Sequence, residues 1–194
     1  MAGRTVTRSN RSLRLVIRPN RDESVDSGQV LFGCAYRGRI RRLATSAEYA
    51  GNPSERFFLR RVAGTHVAIT TTGGNKYTGK STTALRVRDV ASGRSYRAYL
   101  QVAGFGPGLN KDVKLAKYLL NRRGQLAAAF HRYPVSGDGT VGSTPIETTI
   151  VRFSSRGARR VLDSGSATEV PASSLGLVGS QVFWSHSGVT RSDP

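Results

Sequence analysis

Tyr118-Leu119-Leu120-Asn121-Arg122-Arg123-Gly124-Gln125-Leu126-Ala127-Ala128-Ala129-Phe130 decides how this chain is read. Two short apolar runs flank a polar turn ending in glycine, the signature of an antiparallel hairpin. The same order recurs upstream, where Phe58-Leu59-Arg60-Arg61-Val62-Ala63 leads through Gly64 into Thr65-His66-Val67-Ala68-Ile69. Each hairpin is followed by a long polar stretch and then a second hairpin. In the first copy this is Leu85–Val90, a turn at Ser92-Gly93, and a strand from Tyr96 to Val102. In the second it is Thr149–Ser154, a turn at Gly157, and a closing Val161-Leu162. Leu85-Arg86-Val87-Arg88 alternates strictly, so one face is buried and the other solvated.

Residues 55–101 and 114–164 therefore read as two copies of a four-stranded antiparallel unit. Partial copies lie at 28–43 and 175–185. Asp112–Arg123 alone has a helical reading, with an early acid, late cations and Gly124 just beyond. The repeat favours a strand there. A four-stranded sheet cannot cover both of its faces, so such units stack. The expectation is an all-β chain forming an incomplete or small β-propeller-like assembly, with the terminal hairpins completing one blade. A β-sandwich is the alternative.

The chain has 194 residues, enough for a core without staples, and one cysteine, which excludes an internal disulfide or a zinc cluster. No run of 18 apolar residues spans a bilayer as a helix. The formal charge is +18, from 30 Lys and Arg against 12 Asp and Glu. Such a charge bears on partners rather than on fold. Six arginines (Arg4, Arg8, Arg11, Arg14, Arg18 and Arg21) precede the first acid. The other cations are scattered in ones and twos, as a GC-rich coding bias would leave them. Residues 1–27 are read as a basic, disordered arm, because Leu13-Arg14-Leu15-Val16-Ile17 is too short and interrupted for a core element or an export signal. Residues 28–191 are read as a single all-β repeat domain.

Gly28-Gln29-Val30-Leu31-Phe32-Gly33-Cys34 with Arg41-Arg42-Leu43 resembles the opening of uncharacterised Arg-rich repeat proteins of high-GC actinobacteria. Val62-Ala63-Gly64-Thr65-His66-Val67-Ala68, Val87-Arg88-Asp89-Val90-Ala91-Ser92-Gly93-Arg94, and the tail Arg160–Gly165 and Ser174–Trp184 are similar to their later strands. The resemblance implies a β-propeller-like fold, an extracytoplasmic location and no assigned activity. It carries no catalytic residues.

Gly74-Asn75-Lys76-Tyr77-Thr78-Gly79-Lys80-Ser81 satisfies the spacing of a phosphate-cradling loop. That chemistry needs a helix opening at Lys80. The following Thr82-Thr83-Ala84-Leu85 is strand-like instead, so a flexible hairpin loop is the expected reading. His131 and His186 each lie seven residues past a turn glycine and are read as solvent-facing strand ends rather than metal ligands. His66 carries no motif. Cys34 is expected to be an inert, buried thiol, Asp89 and Asp163 turn caps, and Trp184 core packing.

The expected function is non-enzymatic binding or scaffolding, with no catalytic, cofactor or metal residues. The ligand would be a protein or a polysaccharide, met by the loops 70–84 and 131–147. The alternative is nucleic-acid association through the basic arm. The least favoured is nucleotide binding at 74–81.

Overall fold

Runs that alternate apolar and polar residues become strands, and glycine-centred turns join them in sequence order. The computed structural model describes residues 5–21, 27–36, 38–49, 52–75, 80–103 and 112–194. These form two compact units, divided between Pro107 and Gly108. Residues 28–191, expected as a single all-β repeat domain, run through both units.

The first unit is one eight-stranded antiparallel meander. Its strands are β1 (Thr5–Ser9), β2 (Leu13–Pro19), β3 (Ser27–Ala35), β4 (Ile40–Tyr49), β5 (Asn52–Ala63), β6 (His66–Asn75), β7 (Lys80–Asp89) and β8 (Ser95–Ala103). They pair in chain order. Leu13 and Leu15 of β2 lie opposite Ala35 and Gly33 of β3. Leu13, Leu15 and Ala35 join Leu31, Leu43, Val67, Ile69 and Val90 in one buried cluster. Strands β2 to β4 therefore share a core with β6 and with the β7–β8 turn.

This placement corrects the boundary drawn at residue 27. Leu13 and Leu15 are 2% and 0% exposed, so they belong to the core rather than to an arm. Residues 1–4 and 22–26 lie outside the described residues.

The turns are fixed by side chains reaching across the unit. Asp89 accepts from Thr65 Oγ1 at 2.7 Å, the Ala91 amide at 3.1 Å and Ser92 Oγ at 2.6 Å, which ties the β5–β6 turn to the β7–β8 turn. Arg41 donates from Nε to Val90 O at 2.8 Å and from Nη2 to Ala91 O at 3.2 Å. Gly93 follows with φ +80°, and a Cβ there would stand 2.5 Å from Arg41 Nη1. Gly93→Ala is expected to cost about 1–2 kcal/mol, from the left-handed backbone and the displaced Arg41. The midpoint of urea unfolding checks this.

The second unit has two sheets. The larger is a four-stranded antiparallel meander of β9 (Val113–Leu120), β10 (Leu126–Arg132), β11 (Glu147–Phe153) and β12 (Arg159–Ser166). Asp112–Arg123 is thus a strand and a turn, as the neighbouring pattern predicts. The smaller sheet is β13 (Gly176–Val178), β14 (Gln181–His186) and β15 (Val189–Asp193). A single turn of 3-10 helix at Ala172–Ser174 precedes it. Val182 and Trp184 of β14 pack with Ala127 and Ala129 of β10, Ile150 of β11, Val170 and Leu175. Apolar side chains on one face of each sheet thus bury one another.

Two charged clamps hold the smaller sheet to the larger. Asp163 of β12 accepts at Oδ2 from Trp184 Nε1 at 2.6 Å, and its Oδ2 lies 2.9 Å from His186 Nδ1 and 3.3 Å from Arg191 Nη1. Asp193 of β15 pairs with Arg152 at 2.6 Å and with Arg160 at 3.1 Å.

Both spans expected as four-stranded units are runs of four consecutive antiparallel strands, β5–β8 and β9–β12. The terminal hairpins do not share a blade, however. β3–β4 is built into the eight-stranded sheet, and β13–β14 pairs onward with β15. Among the described residues, no helix is long and apolar enough to cross a membrane.

Candidate functional site

The eight-stranded ladder is nearly continuous, with one exception. Among the described residues, β4 pairs with β5 only at Ala47↔Glu55 and Tyr49↔Asn52. Beyond that hairpin end the register runs from β5 to β6 alone. β4 carries a bulge, where Leu31↔Ala44 passes to Phe32↔Arg42. The extra residue, Leu43, turns into the core beside Ala44. Such a bulge bends a strand and sharpens its twist. Between Arg42–Thr45 and the β6–β7 pair a groove of about 380 Å³ opens.

The walls of this groove follow from strand alternation. Ile69, Thr71 and Gly73 share one face of β6, with Arg86, Ala84 and Thr82 opposite them on β7. Leu43 and Ile69, 4% and 1% exposed, back the groove from the core, Ala44 is half-buried beside them, and Thr45, Thr71 and Thr82 supply hydroxyls. Arg42, Arg86 and Arg88 bring three positive charges, with Glu55 beside Gly73. Arg42 is oriented by its own strand, since Nε donates to Thr45 Oγ1 at 2.8 Å. Arg88 Nη1 donates across the split to Arg42 O at 3.4 Å. Burial, and then the like charge of Arg86, push the Arg88 pKa below its ordinary value. The guanidinium stays charged at this cost.

The positions singled out by sequence lie elsewhere. Residues 70–84 are not an open loop. Gly74 pairs with Ser81 and Asn75 with Lys80, so β6 and β7 continue through most of the span. Residues 76–79 lie outside the described residues. Lys80 opens a strand instead of a helix, so the helix dipole a nucleotide phosphate needs there is missing. Lys80→Ala is expected to leave equilibrium dialysis of ATP unchanged; a loss of ATP retention on that change would contradict this.

The span 131–147 is shorter than expected as a loop, because β10 runs to Arg132 and β11 starts at Glu147. It closes on itself through the Val135↔Val141 bridge. Asp138 caps its turn, accepting from Ser136 Oγ and from the Thr140 amide and hydroxyl, both at 2.9 Å. These bonds pull its pKa down to about 2.

His131 lies near the end of β10, edge-on to Tyr133, and burial lowers its pKa. His186 ends β14 against Asp163, which engages it in a clamp rather than leaving it a free strand end. His66 opens β6 next to the Asp89 turn. No group of three or more His, Cys, Asp or Glu that could hold a metal occurs among the described residues. Cys34 is half-buried in β3, its Sγ 3.4 Å from Ala35 O and Gly38 O. Trp184 is 6% exposed and packs in the core.

Sequence reading missed the groove and the Asp163 clamp. The alternation of Arg86 and Arg88 was visible, but their face was read as fully solvated. No protein-family model, curated protein or solved structure matches the chain.

Proposed function

We propose that the protein is a non-enzymatic binding protein whose ligand sits in the groove between β4 and the β6–β7 pair. The observation that carries this reading is the split after Ala47↔Glu55, which opens a lined groove in an otherwise continuous ladder. Its volume lies in the range of small-ligand pockets. Its convergent hydroxyls and cations supply orientation. Within each unit the antiparallel sheets are in keeping with β-repeat sheets, sandwich-like or incompletely propeller-like, used as a binding scaffold. The resemblance to Arg-rich actinobacterial repeat proteins, with their extracytoplasmic setting, belongs to the same proposal.

The test is a Gly73→Val variant. A Cβ at Gly73 would meet Thr82 Oγ1 at 3.4 Å and Glu55 Cγ at 3.6 Å, ordinary contacts, so the fold tolerates the change while the side chain fills the groove. Small molecules screened by NMR are expected to shift the Thr71, Thr82 and Arg86 amides in the parent chain and to lose that effect in Gly73→Val. Ligands that bind both proteins alike would place the site elsewhere.

A second reading, nucleic-acid association, is favoured by the +18 charge. It predicts DNA affinity that falls steeply with salt, since each phosphate neutralised releases counterions. Arg11→Gln with Arg21→Gln is the suitable variant, because both side chains are exposed. Absence of binding at low salt removes this reading.

A further inference from the structure

We infer that the groove is an oxyanion site, taking the phosphate or carboxylate end of a small organic molecule whose hydrocarbon part lies along the wall at half-buried Ala44. This rests on the binding reading above and names the chemistry of that same site.

The argument starts from charge placement. Arg86 and Arg88 stand two residues apart on β7, so their side chains leave the same face of the strand. Arg42 faces them across the split, and Glu55 is the one acid in the lining among the described residues. Bringing like charges together beside a partly buried guanidinium is unfavourable in the empty groove. An anion placed among them turns both costs into attraction, and an arginine fork matches the two oxygens of a carboxylate or phosphate.

Geometry supports the same conclusion. Each guanidinium carries five N–H donors. The bonds Arg42 Nε to Thr45 Oγ1 and Arg88 Nη1 to Arg42 O engage one donor of each and fix its direction. The lining is also polarised along the strands. Arg86 lies opposite Ile69, while Glu55 lies opposite Gly73, four residues further along β6. That offset is about 13 Å at the rise of an extended strand. The anionic end of a ligand is thus directed to the Arg86 end, and its uncharged or hydrogen-bond-donating end toward Glu55. Inorganic phosphate alone would leave most of the volume unused.

The experiment titrates the full chain, by amide and arginine Nε NMR, with hexyl phosphate, hexanoate, hexanol, inorganic phosphate and a short single-stranded oligonucleotide. Hexyl phosphate or hexanoate is expected to bind about tenfold or more tightly than hexanol, moving Thr71, Thr82 and Arg86. Which of the two binds more tightly identifies the headgroup. Arg86→Gln with Arg88→Gln is expected to erase that preference while the fold remains, and to raise the melting temperature of the unliganded protein. Hexanol binding as tightly as the anions, or a preference that survives the double substitution, overturns the oxyanion assignment and leaves the binding reading intact. Groove signals unmoved by every probe overturn both. Movement by inorganic phosphate or the oligonucleotide, with none by hexyl phosphate or hexanoate, also overturns the assignment.

Discussion

Deletion of residues 1–21 is expected to unfold the eight-stranded sheet, not to trim a tail. The deletion removes β1 and β2. Leu13, Leu15 and Val16 are at most 7% exposed. Burying each contributes about 1.5–3 kcal/mol. Together that is about 4.5–9 kcal/mol, against a total stability of about 5–15 kcal/mol for a typical domain. The loss does not stop there, because Leu31, Ala35 and Leu43 share the same cluster and would face water. Cross-ties are lost too: Asn10 Nδ2 donates to Gly64 O at 3.1 Å, and the Tyr36 amide donates to Ser12 O at 3.1 Å. Circular dichroism and methyl NMR of residues 22–194 should show loss of sheet signal and of the dispersed Val67 and Ile69 methyls. An unchanged urea midpoint would contradict the core assignment. One practical result is that a nucleic-acid role for the N-terminal arginines must be tested by substitution.

Asp163→Ala is expected to destabilise the second unit by about 3 kcal/mol, the cost of breaking a buried charged hydrogen-bond network from one side. The Asp163 side chain is 8% exposed, as is that of Asp193 in the neighbouring clamp. Without the carboxylate, Trp184 Nε1 and His186 Nδ1 lose their shared acceptor. Arg191 is half exposed and contributes little. Asp163→Asn keeps one acceptor and should lose less. The same residue sets a pH dependence. Burial opposes its charge, but hydrogen bonds from Trp184 and His186, the charge on protonated His186, and Arg191 outweigh that and hold its pKa below the ordinary value. A carboxylate with a depressed folded pKa stabilises fully above its unfolded value, near about 4, and loses that contribution as pH falls through the folded value. Trp184 is the chain's one tryptophan. Its fluorescence should therefore report earlier urea unfolding as pH drops below about 4, with a flatter profile in Asp163→Ala. A parallel pH profile in the variant would argue against the clamp.

Much of the strand layout was legible because alternation and turn glycines are local signals. Gly64, Gly93, Gly124, Gly157 and Gly179 all carry positive φ at the expected turns. Leu13-Arg14-Leu15 was misread because a cation within a short apolar run looks like an interruption. On a strand it is not one, since Arg14 points out where Leu13 and Leu15 point in. Residues 70–84 were misread in the opposite sense. Their glycines and hydroxyls mimic a loop, yet threonine is β-branched and extends a hairpin well. The Asp163 clamp joins residues 21 to 28 positions apart in three strands, which no local pattern reports. The groove was hidden for a related reason. It depends on a ladder that stops, and pairing between β4 and β5 is a tertiary outcome.

The two rungs joining β4 to β5 also make that line the seam of the sheet. A pull applied across the strands meets full-length ladders at β5–β6 and β6–β7, but only Ala47↔Glu55 and Tyr49↔Asn52 here. Mechanical tearing or deuterium uptake should begin at Arg42–Thr45 and advance toward the hairpin. A guest wedged between the two lips would act as a rivet.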